Sequence, residues 1–152
     1  MNVGDYPRTA DFNNRTFDPV IFQTLGGTIE EAGDGRSRVR FPANAAFQIP
    51  GGFIQGGMQA ALIDEAMIVA VRTLLPASEH FTTAELRVNY LRPAAGASFV
   101  CESEVVRKGR NLIYVEASLT DDQGRLVARA SSSLVRVEGR FPENNADGDR
   151  PG

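Results

Sequence analysis

The sequence predicts an α+β fold in which a mainly antiparallel β-sheet curves around one long central helix. The run from Phe53 to Val71 is rich in helix formers and apolar on nearly every face, which is typical of a helix enclosed by other structure. Pro76 ends this run, and the chain after it shows the alternation and the turn residues of β-strands. A single helix packed on one face of such a sheet is an α+β layer architecture.

The residues before the central helix predict a short helix and then a strand or a hairpin. Asp18-Pro19 is a suitable helix start, and Gly26-Gly27 is a suitable helix end. The turn sequence Gly33-Asp34-Gly35 separates two strand-like segments, residues 28–31 and 37–41. We expect a loop over residues 42–52.

Four strands are predicted after the central helix, and we expect them to form a meander. Their ranges are 82–91, 98–107, 112–120 and 126–137. Lys108–Asn111 and Asp121–Gly124 are the turn sequences between the last three strands. The two ends of the chain are polar and have little to bury. We therefore expect a flexible N-terminal arm, one domain and a disordered tail, at residues 1–17, 18–138 and 139–152.

Composition excludes several classes of function. The length of 152 residues suits one domain, and a net charge of −3 gives no electrostatic argument for binding nucleic acid. The single cysteine, Cys101, cannot form an internal disulfide and does not support a cysteine-based metal site. No apolar run reaches the ~18 residues of a membrane span, and the first residues lack the apolar core of a signal peptide. We expect a cytoplasmic globular protein with no metal, no membrane contact and no nucleic-acid partner.

Two glycines stand at the predicted start of the central helix, in the segment Gln55-Gly56-Gly57. Glycine destabilises a helix interior by roughly 1 kcal/mol relative to alanine, so a pair of glycines suggests that something must approach closely here. The free N–H groups of a first helical turn suit a polarised carbonyl oxygen or an oxyanion. The alternative is that the glycines only permit tight packing.

Asp64 and Glu65 are acidic residues within the otherwise apolar helix. They point about 100° apart, so we expect at least one carboxylate to be buried or to line a cleft. Burial raises the pKa of a carboxylate, which is how enzymes prepare a general base or a nucleophile. The alternative is a carboxylate that reaches solvent or an arginine.

Helix geometry limits how these groups can cooperate. Nine positions separate Gln55 from Asp64, which corresponds to a rise of about 13.5 Å along one helix. The helix-start amides and Asp64 of one chain therefore cannot hold the same small group. If they cooperate, Asp64 must face the Gln55-Gly56 turn of a second subunit. Two antiparallel helices across a two-fold axis would provide this arrangement, and symmetric dimers are the commonest oligomers.

Four segments carry a resemblance to a known family. They are Phe53-Ile54-Gln55-Gly56-Gly57 with Leu62-Ile63-Asp64, then Thr83–Pro93, Lys108-Gly109-Arg110 and Asp122–Ala128. Together they resemble the hotdog-fold thioesterases of the phenylacetate-pathway (PaaI-like) type over roughly residues 28–137. The family's first segment has His-Gly-Gly, with an Asp or Glu nine positions after the His. The resemblance implies a hotdog fold and hydrolysis of a small-molecule acyl-CoA thioester.

The resemblance also implies roles for individual residues. Asp64 is expected to be the general base or nucleophile, Gly56 to offer its N–H to the thioester carbonyl, and Thr83 to place the water. Gln55 is expected to act beside them. The residues expected to bind substrate or CoA are Gly57, Gln48, Arg92, Lys108, Gly109 and Arg110. No cofactor is implied, and the expected assembly is a homodimer or a tetramer built as a dimer of dimers.

Two positions depart from the family pattern. Gln55 replaces the family's His, and Ile49 stands at the position of its upstream Asn, although Gln48 is adjacent. A glutamine amide can donate to a carbonyl but does not titrate near neutrality. The only histidine, His80, matches no motif position, which argues against the hydratase and dehydratase branches of the fold. A catalytically weak or inactive acyl-CoA-binding protein is the alternative function, and a purely structural dimer is the third.

Overall fold

The computed structural model describes residues 19–76 and 79–138 of the chain. The predicted arm over residues 1–17 and the predicted tail over residues 139–152 lie outside the described residues. The α-helices are α1 (Pro19–Thr24) and α2 (Gly56–Arg72), and a short 3-10 helix spans Ala45–Phe47. The strands are β1 (Thr28–Gly33), β2 (Arg36–Pro42), β3 (Gln48–Ile49), β4 (Phe53–Ile54), β5 (Phe81–Tyr90), β6 (Ser98–Lys108), β7 (Leu112–Asp121) and β8 (Leu126–Arg136).

Six of the strands form one antiparallel sheet in the order β1-β2-β6-β7-β8-β5. Helix α2 packs on one face of this sheet, chiefly against β6, β2 and β7. The predicted α+β class, with one long helix against an antiparallel sheet, is therefore confirmed. Within residues 19–76 and 79–138, no helix is both long enough and apolar enough to span a membrane.

The predicted meander of four strands is wrong. Strand β5 pairs with β8 at one edge of the sheet, and β6 pairs with β2, so only β6, β7 and β8 form a meander. The β5–β6 connection passes the start of α2 instead of turning back, because its Ala94 carbonyl accepts from the Ile54 N–H at 2.9 Å. Strands that follow one another in sequence are neighbours only about two-thirds of the time, and this pair is an exception.

The predicted loop over residues 42–52 contains regular structure. Strand β3 pairs with β4 in a small two-stranded sheet, with Gln48 opposite Ile54 and Ile49 opposite Phe53. The turn between them places Gly51 and Gly52 at φ 102° and 81°, which glycine adopts without strain. Because Phe53 and Ile54 belong to β4, the helix begins at Gly56. It ends at Arg72, four residues before Pro76.

The predicted N-terminal helix and hairpin are confirmed. The Gly26 residue at the end of α1 has φ 73°, a common helix C-terminus. Strands β1 and β2 are joined through Asp34 and Gly35, which have φ 50° and 78°. Both values are positive, as a tight hairpin turn requires.

Helix α2 is buried along the side that faces the sheet, as its apolar sequence predicted. Its buried residues are Gln59, Leu62, Ile63, Glu65, Ala66, Met67, Val69, Ala70 and Val71. One face is less covered. We call it the open stripe, and it consists of Gly57, Ala61, Asp64, Ile68 and Arg72, none of which is buried. Their spacing of three or four residues places them on one side of the helix.

Candidate active site

The start of α2 presents free backbone donors. Gln55 is the N-cap, and its Oε1 accepts from the Met58 N–H at 2.9 Å. The Gln59 N–H donates to the Gln55 carbonyl at 3.0 Å. In the part of the chain that the structure describes, the N–H groups of Gly56 and Gly57 have no acceptor. Two amides therefore remain available at the positive end of the helix dipole.

Close packing also favours glycine at both positions. A Cβ atom on Gly57 would lie 2.9 Å from the Oε1 atom of Gln55. A Cβ atom on Gly56 would lie 3.3 Å from the ring of Tyr90. The packing interpretation and the donor interpretation of the glycine pair are therefore compatible, because both depend on the absence of a side chain.

Asp64 lies in the middle of the open stripe, next to the edge strand β5. The Thr83 hydroxyl of β5 donates to Asp64 Oδ1 at 2.9 Å. Burial raises the pKa of the Asp64 carboxyl, and the Thr83 hydrogen bond opposes that rise only in part. A carboxylate with one neutral donor and a raised pKa can accept a proton from water.

Glu65 is placed differently from Asp64, as their angular separation predicted. The Glu65 residue is 9% exposed and turned into the protein, whereas Asp64 stays half-buried on the open stripe. Only the Asp64 carboxylate is therefore placed to meet a ligand on that face of the helix.

A β-bulge in β5 brings Thr83 to the helix. Thr83 pairs with Leu134 and Glu85 with Ser133, so Ala84 is an extra residue in the strand. A regular strand alternates faces, and Thr83 would then face away from the side on which Leu86 packs. The bulge restores Thr83 to the core side, and such bulges often re-aim a side chain beside a functional site.

Tyr90 also lies in this region, and the sequence analysis gave it no role of its own. Its hydroxyl donates to the Gly56 carbonyl at 2.5 Å. The two residues are 34 positions apart, and no local pattern places the end of a strand beside the start of a helix. The only signal was the presence of Tyr90 within the segment Thr83–Pro93.

The described chain does not bring Asp64 and Gly56 together. Both belong to the single helix α2, and the eight positions between them correspond to a rise of about 12 Å. The structure thus contains the predicted helix. As expected, its helix-start amides and Asp64 are too far apart to hold the same small group within one chain.

Gln48 lies close to the helix start. It is exposed in β3 and stands opposite Ile54, two residues before α2. Ile49, at the position of the family's Asn, is 45% exposed and carries no polar group. Gln48 is consequently the amide side chain that stands next to this position.

The basic residues predicted to bind CoA lie at opposite ends of α2. Arg92 is exposed just after β5, beyond Tyr90 and therefore near the helix start. Lys108 Nζ donates to the Leu74 carbonyl at 3.0 Å, just beyond the helix C-terminus. One chain does not bring these basic residues together.

The Lys108-Gly109-Arg110 turn has a clear structural role. The Gly109 N–H donates to the Leu112 carbonyl at 2.8 Å. A Cβ atom on Gly109 would lie 2.8 Å from the same oxygen, so the turn requires glycine. Arg110 is exposed beside it.

The described residues give no support for a metal or a thiol nucleophile. Residues 19–76 and 79–138 contain no group of three or more His, Cys, Asp or Glu side chains that could hold a metal ion. Burial raises the pKa of the Cys101 thiol to about 12, so the thiolate that attacks a thioester is not formed near neutrality.

Known proteins resemble this chain in sequence and in structure. A protein of Saccharolobus solfataricus named "Putative esterase" is 34% identical over 126 residues, which is 83% of each chain. The structure of a phenylacetic acid degradation-related protein from Ralstonia eutropha JMP134 is similar with a TM-score of 0.73 and 33% identity. The similarity covers 78% of this chain and 90% of that one.

A more distant structure shows the same fold. The E. coli PaaI protein from the phenylacetic acid degradation operon has a TM-score of 0.75 at 18% identity, over 88% of this chain and 92% of that one. These neighbours confirm the predicted hotdog fold of the PaaI-like type.

The sequence model of the thioesterase superfamily matches residues 51–128, which is more than half of the chain. The matched range contains the start of α2, Asp64 and Thr83. Together with the esterase relative, it supports thioester hydrolysis as the general activity. The chain belongs to the thioesterase superfamily.

Proposed function

We propose that the protein hydrolyses acyl-CoA thioesters to a free acid and CoA, with Asp64 as its central carboxylate. The observation that supports this most directly is the environment of Asp64. It is half-buried, its pKa is raised, and it faces outward on the open stripe beside a hydroxyl from β5. A structural carboxylate in such a position would be saturated with donors.

The proposed reaction uses Asp64 as a general base. The carboxylate removes a proton from water, and the water oxygen forms a bond to the thioester carbonyl carbon. The carbonyl oxygen becomes an oxyanion, which the Gly56 N–H stabilises. The C–S bond then breaks, the sulfur leaves with the electron pair, and the proton on Asp64 passes to the thiolate. Direct attack of Asp64 on the carbonyl carbon is the variant of this mechanism, with an anhydride that water then hydrolyses.

Thr83 and Gln55 are proposed to orient the reacting groups. The Thr83 hydrogen bond occupies Asp64 Oδ1 and leaves Oδ2 for water. The Met58 N–H holds the Oε1 atom of Gln55, so the Nε2 hydrogens are left to donate to the thioester carbonyl. Gln55 can in this way donate to the thioester carbonyl as the family's His would in its neutral form, although Gln55 cannot take part in proton transfer.

The site is proposed to form between two copies of the chain. The open stripe contains the small residues Gly57 and Ala61, which permit a second helix to approach, and Ile68, which favours burial. Two antiparallel copies of this stripe would bring Asp64 of each chain to the Gly56 turn of the other.

A sheet edge supports the same arrangement. Among the described strands β5 is bonded to β8 alone, and its ten residues form an edge of the six-stranded sheet. A long edge strand invites pairing with another chain, so two β5 strands can join the sheets across the same axis. We therefore propose that the chain forms a homodimer, or a tetramer made of two such dimers.

The binding of CoA is proposed to use basic residues of both chains. With Asp64 opposite the partner's Gly56, the C-terminal end of one α2 extends about 12 Å past the N-terminus of the other. The Lys108-Gly109-Arg110 turn of one chain then lies towards Arg92 of its partner, although within a chain they are separated. Gln48 and Gly57 complete the proposed contacts at the helix start.

The activity is tested with a panel of aryl-CoA and fatty-acyl-CoA esters and a reagent that detects the released thiol. We expect turnover of at least one ester by the wild-type protein and none above background by Asp64→Asn. Absence of turnover across the panel, or full activity of Asp64→Asn, contradicts the proposal.

The shared site is tested by mixing two inactive variants. Asp64→Asn removes the base, and Gly56→Pro removes one N–H at the first helical position, which suits the proline backbone once the Tyr90 ring shifts slightly. A heterodimer of these variants regains one intact site out of two, so an exchanged equal mixture should recover about a quarter of wild-type activity. A mixture that is no more active than its parents contradicts a shared site.

The alternative function is a protein that binds acyl-CoA and hydrolyses it weakly or not at all. One observation favours it, since Gln55 stands where the family has His and gives the proposed site no second titratable group. Saturable binding of the same esters without release of thiol would identify this function. The structural-dimer alternative predicts no saturable binding of CoA esters at all.

A further inference from the structure

Tyr90 contacts the first turn of α2 in two ways. Its hydroxyl donates to the Gly56 carbonyl at 2.5 Å. Its ring covers the Gly56 Cα, because a Cβ atom at that position would lie 3.3 Å from Cζ and 3.4 Å from the hydroxyl oxygen. The side chain therefore restrains both the carbonyl and the α-carbon of Gly56.

Adjacent glycines need such a restraint. Glycine populates backbone conformations that other residues avoid, so a Gly-Gly pair is the most mobile dipeptide that a helix start can contain. The amides of Gly56 and Gly57 can bind a carbonyl oxygen well only if they are held in one orientation before the ligand arrives. Gln55, the residue before this turn, also contacts it, since its Oε1 accepts from the Met58 N–H and lies beside Gly57.

The geometry of the peptide bond relates Tyr90 to a specific donor. The Gly56 carbonyl and the Gly57 N–H belong to one planar peptide unit. A donor on the carbonyl fixes the plane of that unit, and it also polarises the unit, which strengthens the N–H as a donor. The effect of the Tyr90 hydroxyl is therefore transmitted to the Gly57 N–H.

We propose that Tyr90 is a positioning residue for the oxyanion-binding turn, holding the Gly56–Gly57 peptide so that its N–H supports the negative oxygen of the transition state. This inference rests on the proposed thioesterase function. It assigns to Gly57 a second donor role beside the Gly56 N–H, and it assigns Tyr90 no contact with the reacting atoms. Burial raises the pKa of Tyr90, so the hydroxyl remains a donor at neutral pH.

The position of Tyr90 depends on the same bulge that places Thr83. The two residues are seven positions apart, an odd number, and in a regular strand they would face opposite sides of the sheet. The extra residue Ala84 puts both of them towards α2. The edge strand β5 thus holds α2 at two points, the carboxylate and the glycine turn.

The kinetic test compares Tyr90→Phe with the control Tyr114→Phe. Tyr114 lies on the other face of the sheet, since its neighbours Ile113 and Val115 are fully buried. We expect Tyr90→Phe to lower kcat by about five- to tenfold and to leave KM within about twofold, because the lost support acts on the transition state. Tyr114→Phe should retain wild-type kcat and KM.

A merely structural role predicts a different outcome. Loss of a helix contact without positioning would lower the melting temperature of Tyr90→Phe and leave kcat per folded molecule unchanged. That result overturns the inference, as does an equal effect of Tyr114→Phe.

A measurement on the free protein separates this inference from the proposed function. In ¹H–¹⁵N correlation spectra, Tyr90→Phe should shift the Gly57 amide signal, and Tyr114→Phe should leave it in place. An unmoved Gly57 signal overturns the inference even if the enzyme is active. If the wild-type protein hydrolyses no ester, the proposed function fails, and the Gly57 signal alone still decides whether Tyr90 holds the turn.

Discussion

Asp64 and Asp121 are both shielded from solvent, but their carboxylates differ in the number of hydrogen bonds that they accept. The side chain of Asp121, at the β7–β8 turn, is 1% exposed. It accepts from the N–H groups of Gln123 at 3.0 Å and Arg125 at 2.9 Å, and from the Arg125 guanidinium at 2.7 Å. Among residues 19–76 and 79–138, Asp64 accepts a hydrogen bond from one side chain, the hydroxyl of Thr83.

The difference in donors decides the chemistry of each group. Burial by itself raises the pKa of both carboxyls. At Asp121 the hydrogen bonds and the charge of Arg125 outweigh burial and lower its pKa, whereas at Asp64 the bond from Thr83 does not outweigh it. A carboxylate that accepts hydrogen bonds on both oxygens, such as Asp121, stays ionised and stabilises its turn. A carboxylate with one neutral donor remains able to take up a proton.

The largest expected effect is the loss of activity in Asp64→Asn. Removing a general base lowers kcat by about 10²- to 10⁴-fold, and the amide keeps the shape of the side chain. Asp121→Asn is the matched control, and its activity per folded molecule should equal that of the wild type. Steady-state kinetics on any accepted ester measures both, and equal losses in the two variants would contradict the distinction between the carboxylates.

The second expected effect is on stability, and its sign differs between the two sites. The folded-state pKa of Asp121 lies below its ordinary value of 3.8, so its contribution is present above pH 3.8 and is lost as the pH falls through the lowered pKa. Asp121→Asn should therefore melt several degrees below the wild type at pH 7. The gap should close in acid, and thermal unfolding as a function of pH measures it.

Asp64 should show the reverse dependence. Its folded-state pKa lies above 3.8, so the stability associated with it is complete below pH 3.8 and is lost as the pH rises through the raised value. Asp64→Asn, which stays neutral, should melt at the wild-type temperature or slightly above it at pH 7. A clear fall in its melting temperature at pH 7 would show that the carboxylate stabilises the fold.

The smallest expected effect is a shift of the pH–rate profile in Thr83→Val. The Thr83 hydroxyl stabilises the charged form of Asp64, so its removal raises the pKa of the carboxyl further. The acidic limb of kcat/KM should move to higher pH, with a loss at neutral pH of about tenfold or less. Thr82→Val is the control, because Thr82 is exposed on the same strand. An unmoved acidic limb in Thr83→Val would indicate that another group sets the profile.

Much of the fold was predictable because its signals are local. The all-round apolar character of residues 53–71 predicted an enclosed helix, and the hairpin around Asp34 followed from its turn sequence. The strand order was not predictable in the same way. Whether β5 pairs with β6 or with β8 depends on contacts far apart in the chain, and the expected meander failed at that step.

In the candidate site, too, local features were predictable from the sequence and non-local contacts were not. The sequence by itself determined that Gly56 and Asp64 share one helix and lie too far apart to act together within a chain, because helical rise is a local property. Only the tertiary structure decided that Thr83 and Tyr90 both contact that helix. Their odd spacing along β5 predicts opposite faces, and the bulge at Ala84 that reverses this arises from pairing with β8, a non-local interaction.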